Sequence, residues 1–302
     1  MKVIVTKSYY EVLAKNFPEI EFYLTTEECI EADAIIGEPS DINVEFLDKH
    51  PNLRWVQSIR AGYDNIDMNY IRKRNIIFTN GKDIYSVPIA EDVVCKILMH
   101  NTNAIKYLEN KRNKEWNFVK NRREFYGQTV GIIGTGSIAT EIAKRLQGFG
   151  VKLLGYKRNP VSTMAYFDEI YDGKKGLEHV LSNSDYIIIT VDLNKGTFHM
   201  INKDNLKLLK KSASIINIAR GSIINQQDLT EALRNNDISY AGLDVFETEP
   251  LPLEDELWNF ENVYITPHAS GVVINNIDRI NELVVGNVRR FMNNEPLAYI
   301  VK

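Results

Sequence analysis

The 302-residue chain has only two cysteines, Cys29 and Cys95, and neither has a Cys-x-x-Cys partner. That excludes a disulfide scaffold and a thiolate cluster, and it suits a reducing compartment, so a cytoplasmic protein is expected. Glycine and proline are also sparse, at 17 and 9 residues, which excludes a collagen-like or low-complexity chain. Long apolar runs are missing: Lys7 interrupts the opening MKVIVTK, and later runs fall well short of the roughly 18 residues of a membrane span. Neither secretion nor a membrane role is expected. Positive charge is not in excess, since 36 Lys and Arg face 40 Asp and Glu for a net charge of -4. General nucleic-acid binding therefore has little basis. Basic residues do gather between 107 and 123, but Glu109 and Glu115 interrupt them, which reads as a solvated face. The five histidines show no metal-ligand spacing, so no metal is expected.

What the chain has is 44% hydrophobic residues and a length that suits about two domains. Short apolar runs alternate with amphipathic stretches: KVIVTK at 2–7, ADAIIG at 32–37, WVQSI at 55–59 and IIFTN at 76–80. This spacing predicts βα units around a parallel sheet. The segment from Ala90 to Arg112 has an apolar face at helical spacing and predicts one helix long enough to bridge two domains. A second alternation follows, with strands expected at 129–134, 151–156, 185–190, 214–219, 240–246 and 263–267. A last helix is expected from about Val272 to Met292, and periodicity alone does not assign it to either domain.

The sharpest local motif is TVGIIGTGSIATEIAKRL, which sets Gly134, Gly136 and Ala139 in the Gly-x-Gly-x-x-Gly/Ala pattern between a strand and a helix. Gly134 can form the tight turn, Gly136 can admit a pyrophosphate, and Ala139 allows the helix to pack closely. Thr135, Ser137 and Ile138, within the same turn, join the expected dinucleotide contacts. An NAD site would place an acid about 20 residues on, at the end of the next strand. Here no Asp or Glu occurs between Glu141 and Asp168, and VKLLGY runs into Lys157 and Arg158. Both can neutralise a 2′-phosphate, and Arg158 offers a fork of donors. NADPH is therefore the expected cofactor, with NADH as the alternative. Asn159 is a further polar candidate, or simply a turn residue.

In order along the chain stand SIRAGYDNID, the IAED helix start, GTGSIA, NIARGSIIN, AGLDVFETEPLP and TPHASG. With this order the chain resembles the D-isomer-specific 2-hydroxyacid dehydrogenase family over nearly its whole length. The resemblance implies an α/β protein of two Rossmann-like domains with parallel sheets. A cofactor domain of residues 97–271 would be inserted into a substrate domain made of 1–96 and 272–302. It also implies a homodimer.

Reducing a 2-oxoacid requires a hold on the carboxylate, and delivery of hydride to carbon and a proton to oxygen. Arg220 can bind the carboxylate or polarise the carbonyl, and the resemblance assigns it that role. His268 can donate the proton. Glu249 matches the family's acidic partner of that histidine, with Glu247 as the neighbouring alternative. The resemblance further implies that Asp244 lies near the nicotinamide amide, and that Thr190, Val191 and Ala219 face the cofactor. Ala61 and Gly62 would offer backbone amides to the substrate carboxylate. Arg60 and Tyr63 either narrow substrate choice or only stabilise that loop, and Asn80 is a weaker candidate. His50, His100, His179 and His199 carry no comparable signal and read as structural. VDLNKGTFHM departs from the usual leucine-proline-leucine pattern, and Lys157 from the usual acid. The expected activity is NADPH-favouring reduction of glyoxylate, hydroxypyruvate or a short branched-chain 2-oxoacid to an R-2-hydroxyacid. Alternatives are an NAD-dependent 2-hydroxyacid or phosphoglycerate dehydrogenase, and a dinucleotide-sensing interaction protein.

Overall fold

Tyr186, Ile187, Ile188 and Ile189 are four consecutive apolar residues, a pattern that a strand can bury only where both faces of its sheet are covered. In the computed structural model, which describes residues 1–24, 29, 31–38, 42–159 and 163–301, that is how they are used. Ile187 and Ile189 join one core, with Ile133, Ile215 and Leu243. Tyr186 and Ile188 join the opposite one, with Val130, Ile132 and Ile216. The chain divides into two compact units, residues 1–85 with 273–302, and residues 86–272.

In the first unit, β1 (Lys2–Val5), β2 (Glu21–Tyr23), β3 (Ala34–Gly37), β4 (Trp55–Ser58) and β5 (Ile77–Thr79) form a parallel sheet in the order β2-β1-β3-β4-β5. Its faces are again divided by alternation: Val3, Val5 and Ile36 point one way, Ile4, Ile35 and Val56 the other. Among the described residues, five helices accompany the strands up to residue 113: α1 (Lys7–Asn16), α2 (Val44–Asp48), α3 (Met68–Lys73), α4 (Ser86–Thr102) and α5 (Ala104–Asn113), of which α4 and α5 belong to the second unit. The boundary drawn from sequence at 96/97 falls inside α4, which packs against the helix that follows the glycine-rich turn.

The single helix expected from Ala90 to Arg112 is two helices. Asn103 between them has φ 54°, in the left-handed region that Asn tolerates, and its N–H donates to the His100 carbonyl. Thr102 also turns its hydroxyl back onto the Leu98 carbonyl at 2.6 Å. Apolar periodicity spans such a break because it records burial, not backbone continuity.

The second unit holds β6 (Thr129–Ile133), β7 (Lys152–Tyr156), β8 (Glu169–Tyr171), β9 (Tyr186–Ile189), β10 (Ser214–Asn217), β11 (Tyr240–Leu243) and β12 (Val263–Ile265). They run parallel in the order β12-β11-β10-β9-β6-β7-β8. This is a doubly wound sheet whose strand order reverses at β6, between β9 and β7. Helices α6 (Ser137–Leu146), α7 (Gly173–Asn183), α8 (Lys203–Leu206) and α9 (Gln226–Arg234) flank it. On α6 the buried residues Ala139, Ile142, Ala143 and Leu146 form one stripe. The last helix, α10 (Asn276–Met292), belongs to the first unit, where Ile280, Val284 and Val288 pack with Val3, Val5 and Tyr9. Strands β2 and β8 have no counterpart in the sequence reading, since each is three residues long and only partly apolar. None of the described helices is long and apolar enough to cross a membrane.

One buried histidine makes stability depend on pH. His100 stacks on Tyr240 at 4.1 Å, and burial, followed by repulsion from Arg123, lowers its pKa from 6.5 to about 4. The ring is therefore neutral in the folded chain, whereas the unfolded chain takes up a proton as pH falls below 6.5. Stability is expected to drop between pH 6.5 and about 4, with a limiting slope of about 1.4 kcal/mol per pH unit for one proton. Urea unfolding across that window should show the loss, and His100→Phe should remove one proton's worth of slope. An unchanged slope in the variant would contradict this account.

Candidate active site

The reversal of strand order leaves a crevice at the carboxyl ends of β6 and β9, the place where open α/β sheets bind ligands. Gly134 sits there with φ 101°, and a Cβ on it would lie 2.6 Å from Thr190 Oγ1. Glycine is required on both counts. Thr190 ties the two strands together, its N–H and hydroxyl both donating to the Ile133 carbonyl at 2.8 and 3.0 Å. Val191 also crowds Gly134. Gly136 caps α6 with extended geometry, and a Cβ on it would meet nothing within 4 Å.

These residues suit a dinucleotide. The open face at Gly136 leaves room for a pyrophosphate beside the amides of Ser137 and Ile138 at the start of a ten-residue helix. Thr135 Oγ1 is buried there without a hydrogen-bond partner among the described residues. Ala139 is fully buried, so the helix packs closely behind the turn.

At the end of β7, the Lys157 N–H donates to the Tyr171 carbonyl, which fixes where its side chain begins. Lys157 is half-buried, while Arg158 and Asn159 are exposed. Among the described residues neither cation has a carboxylate partner. The fold also brings one acid to this edge from the next strand. Asp172, just after β8, adds to burial in raising the Tyr156 hydroxyl above its ordinary pKa.

Three segments that follow β10, β11 and β12 carry the ionisable residues. His268, three residues past β12, has φ 51° and donates its N–H to the carbonyls of Asp244 and Thr266 at 2.8 and 3.0 Å. Its Nδ1 lies 2.8 Å from Glu249 Oε2, and Glu249 Oε1 accepts from the Phe246 N–H at 3.0 Å. The imidazole is half exposed, leaving Nε2 as the ring nitrogen available for proton transfer. Glu247 is used elsewhere: it pairs with His199 at 2.8 Å and accepts from the Gln226 N–H at 3.0 Å. The two acids of the Glu-Thr-Glu turn are thus divided between two histidines.

Arg220 follows β10, beside the buried Ala219. Asn217 shapes this turn by accepting from the Ala219 N–H and donating to the Arg220 carbonyl, at 3.1 and 3.0 Å. The guanidinium also bonds the Ala219 carbonyl at 2.6 Å. Gly221 lies against the acidic turn so closely that a Cβ would stand 1.8 Å from the Phe246 carbonyl carbon. Asp244 is 2% exposed, and its carboxylate is occupied by the Thr266 hydroxyl and the N–H groups of Ala269 and Ser270. It therefore braces the segment that carries His268. Sequence reasoning missed Asn217, Gly221 and Ser270 as parts of this arrangement. For Gly221 the signal was its place directly after Arg220, whereas the other two lay inside ordinary strand and loop patterns.

In the first unit, the loop after β4 carries the remaining candidates. Arg60 pairs with Glu38 at 2.8 Å, and this bond raises the guanidinium above its ordinary pKa. Tyr63 meets Phe78 edge to face at 6.0 Å. Asn80 donates to the Ala61 carbonyl at 2.6 Å, and the Gly81 N–H donates to the Arg60 carbonyl at 2.8 Å, so the loop is held from one side. The amides of Ala61 and Gly62 meet no acceptor among the described residues.

Residues 94–270 match the family model described as D-isomer specific 2-hydroxyacid dehydrogenase, NAD binding domain. A glyoxylate reductase of Pyrococcus horikoshii is 35% identical over 289 residues, which cover 92% of this chain and 85% of that protein. Among solved structures, a D-isomer specific 2-hydroxyacid dehydrogenase family protein from Aeromonas salmonicida is 29% identical with a TM-score of 0.88, over 100% of this chain and 98% of that one. An NADPH-dependent glyoxylate/hydroxypyruvate reductase from Sinorhizobium meliloti, in complex with NADP and malonate, is 27% identical with a TM-score of 0.83, over 99% and 96% of the two chains.

Proposed function

Because this chain belongs to the D-isomer-specific 2-hydroxyacid dehydrogenase family, whose members are NAD(P)-dependent oxidoreductases of 2-hydroxyacids and 2-oxoacids, we propose that it reduces a small 2-oxoacid with NADPH. The single observation that carries this reading is the 2.8 Å bond from His268 Nδ1 to Glu249, which leaves Nε2 to face a reacting oxygen. Suitable substrates are glyoxylate, hydroxypyruvate and short branched-chain 2-oxoacids, giving the R-2-hydroxyacid where the product is chiral.

Held at the turn of Gly134 and Gly136, NADPH would supply the hydride. Arg220 holds the substrate carboxylate or carbonyl through its planar donors, which stabilises charge as the carbonyl becomes an alkoxide. His268 delivers a proton to that oxygen from Nε2, and Glu249 fixes the ring orientation and stabilises the imidazolium. A homodimer is part of the same reading, on the family's precedent.

Cofactor choice rests on Lys157 and Arg158, two cations without carboxylate partners among the described residues at the end of β7. A second reading, with NADH, draws on Asp172, the carboxylate that follows β8, whose last residue Tyr171 pairs with Tyr156 at the end of β7. A panel of 2-oxoacids assayed with both cofactors tests the activity itself. No turnover with any of them, despite NADPH binding, would overturn it in favour of a dinucleotide sensor. Replacing Lys157 and Arg158 by Ser and Gln should lower the NADPH-to-NADH ratio of kcat/KM by about tenfold or more, as expected on losing a charge-assisted contact. Unchanged selectivity would shift the assignment to the Asp172 reading.

A further inference from the structure

Lys96 is a lysine with no exposed surface, in the middle of α4. A buried ammonium is costly unless it is paired, and the helix places its partner one turn earlier. Lys96 Nζ donates to Asp92 Oδ2 and lies 3.3 Å from Ser270 Oγ. The ammonium also lies 5.6 Å from the centre of the Tyr264 ring, a cation–π distance, and Gly242 in β11 gives its alkyl stem room. The Ser270 hydroxyl in turn donates to Asp92 Oδ2.

Ser270 is two residues past His268 and is gripped from both sides. Its hydroxyl is held by the Asp92–Lys96 pair, and its N–H donates to Asp244 Oδ2 at 3.0 Å. Between these anchors and Thr266, which also bonds Asp244, the chain passes through His268 at φ 51°. A non-glycine residue in that region is strained and persists only where its surroundings over-determine it. An ion pair buried merely for stability gives little over well-packed apolar side chains. This one instead ties α4 to the strained turn from which the imidazole reaches Glu249.

We propose that Lys96 and Asp92 are positioning residues for His268, acting through Ser270 to hold the left-handed turn in the geometry that keeps Nδ1 on Glu249. In its catalytic meaning this rests on the proposed reductase reading. The geometric part can be tested without turnover.

Two variants dismantle the network without changing net charge: Ser270→Ala, and the double variant Asp92→Asn with Lys96→Met. Ring nitrogen signals of 15N-labelled histidine, with His268 identified by its loss in His268→Gln, report the tautomer at mildly alkaline pH. The intact protein is expected to hold His268 as a single Nδ1–H tautomer, and both variants are expected to show a mixture. On the oxoacid that the protein turns over best, kcat should fall by about ten- to hundredfold, the range for a slightly misplaced group, with KM for NADPH within about a factor of two. Lys174→Met, on the exposed face of α7, should match the unaltered protein in both measurements.

A single tautomer retained in both variants would overturn the proposal, as would a kcat loss that only tracks the folded fraction. If the double variant does not fold, Ser270→Ala decides alone. If the intact protein reduces no 2-oxoacid, the reductase reading fails while the tautomer measurement still decides the positioning role.

Discussion

Replacing His268 with glutamine is expected to lower kcat for 2-oxoacid reduction by about 10²- to 10⁴-fold, the usual contribution of a positioned general acid. Glutamine keeps a polar side chain of similar reach but does not deliver a proton from an imidazolium. The fall should appear in kcat and kcat/KM together, because the lost interaction belongs to the transition state. NADPH binding should hardly change, since the glycine-rich turn at 134–136 and the cations at 157–158 follow β6 and β7, whereas His268 follows β12. Steady-state rates combined with a direct NADPH titration separate these effects. A variant that keeps more than about a tenth of the original kcat would remove His268 from the chemical step.

Gly221→Ala has the other large expected effect, and it arises from backbone meeting backbone. The added methyl would stand 1.8 Å from the carbonyl carbon of Phe246, 2.0 Å from its oxygen and 2.4 Å from the Glu247 nitrogen. No side chain can swing aside to relieve that overlap, so the segment after β10 must part from the segment after β11. Stability is expected to fall by about 3 kcal/mol or more, at or beyond the upper end for overpacking. For a unit of this size that corresponds to roughly 10 °C in Tm. Activity should fall further than the unfolded fraction explains. Arg220 is joined directly to Gly221, and Glu249 is held by the Phe246 N–H, so both groups shift with the strands that carry them. Gly148→Ala is the matched control, because a Cβ there meets nothing within 4 Å. Thermal unfolding and kcat measured on both variants check the prediction. A Gly221→Ala protein as stable and active as the unaltered chain would mean that the two segments are not in this contact.

The location of these effects explains what could be read from the linear chain. The residues that ended up on strand ends were legible because their neighbours announced the strands. Arg220 comes straight after SIINIA, His268 after VYITP, and Gly134 after TVGII, each at the close of an apolar run. The Gly-x-Gly turn was legible because left-handed backbone and close approach leave so few residue choices. Helix continuity across Asn103 was not legible, since the apolar face on either side of the break keeps its spacing.

By itself, the sequence determined two parallel α/β sheets and the place of the glycine-rich turn. These follow from burial periodicity and local backbone sterics, which act over a few neighbouring residues. Only the tertiary structure decided which side chains are paired. It gave Glu249 to His268 and Glu247 to His199, joined Arg60 to Glu38, and buried Lys96 between Asp92 and Ser270. All but the Lys96–Asp92 step join positions well separated along the chain. Their partners are set by strand order and by which backbone segments face each other, and no local pattern of residue types encodes that.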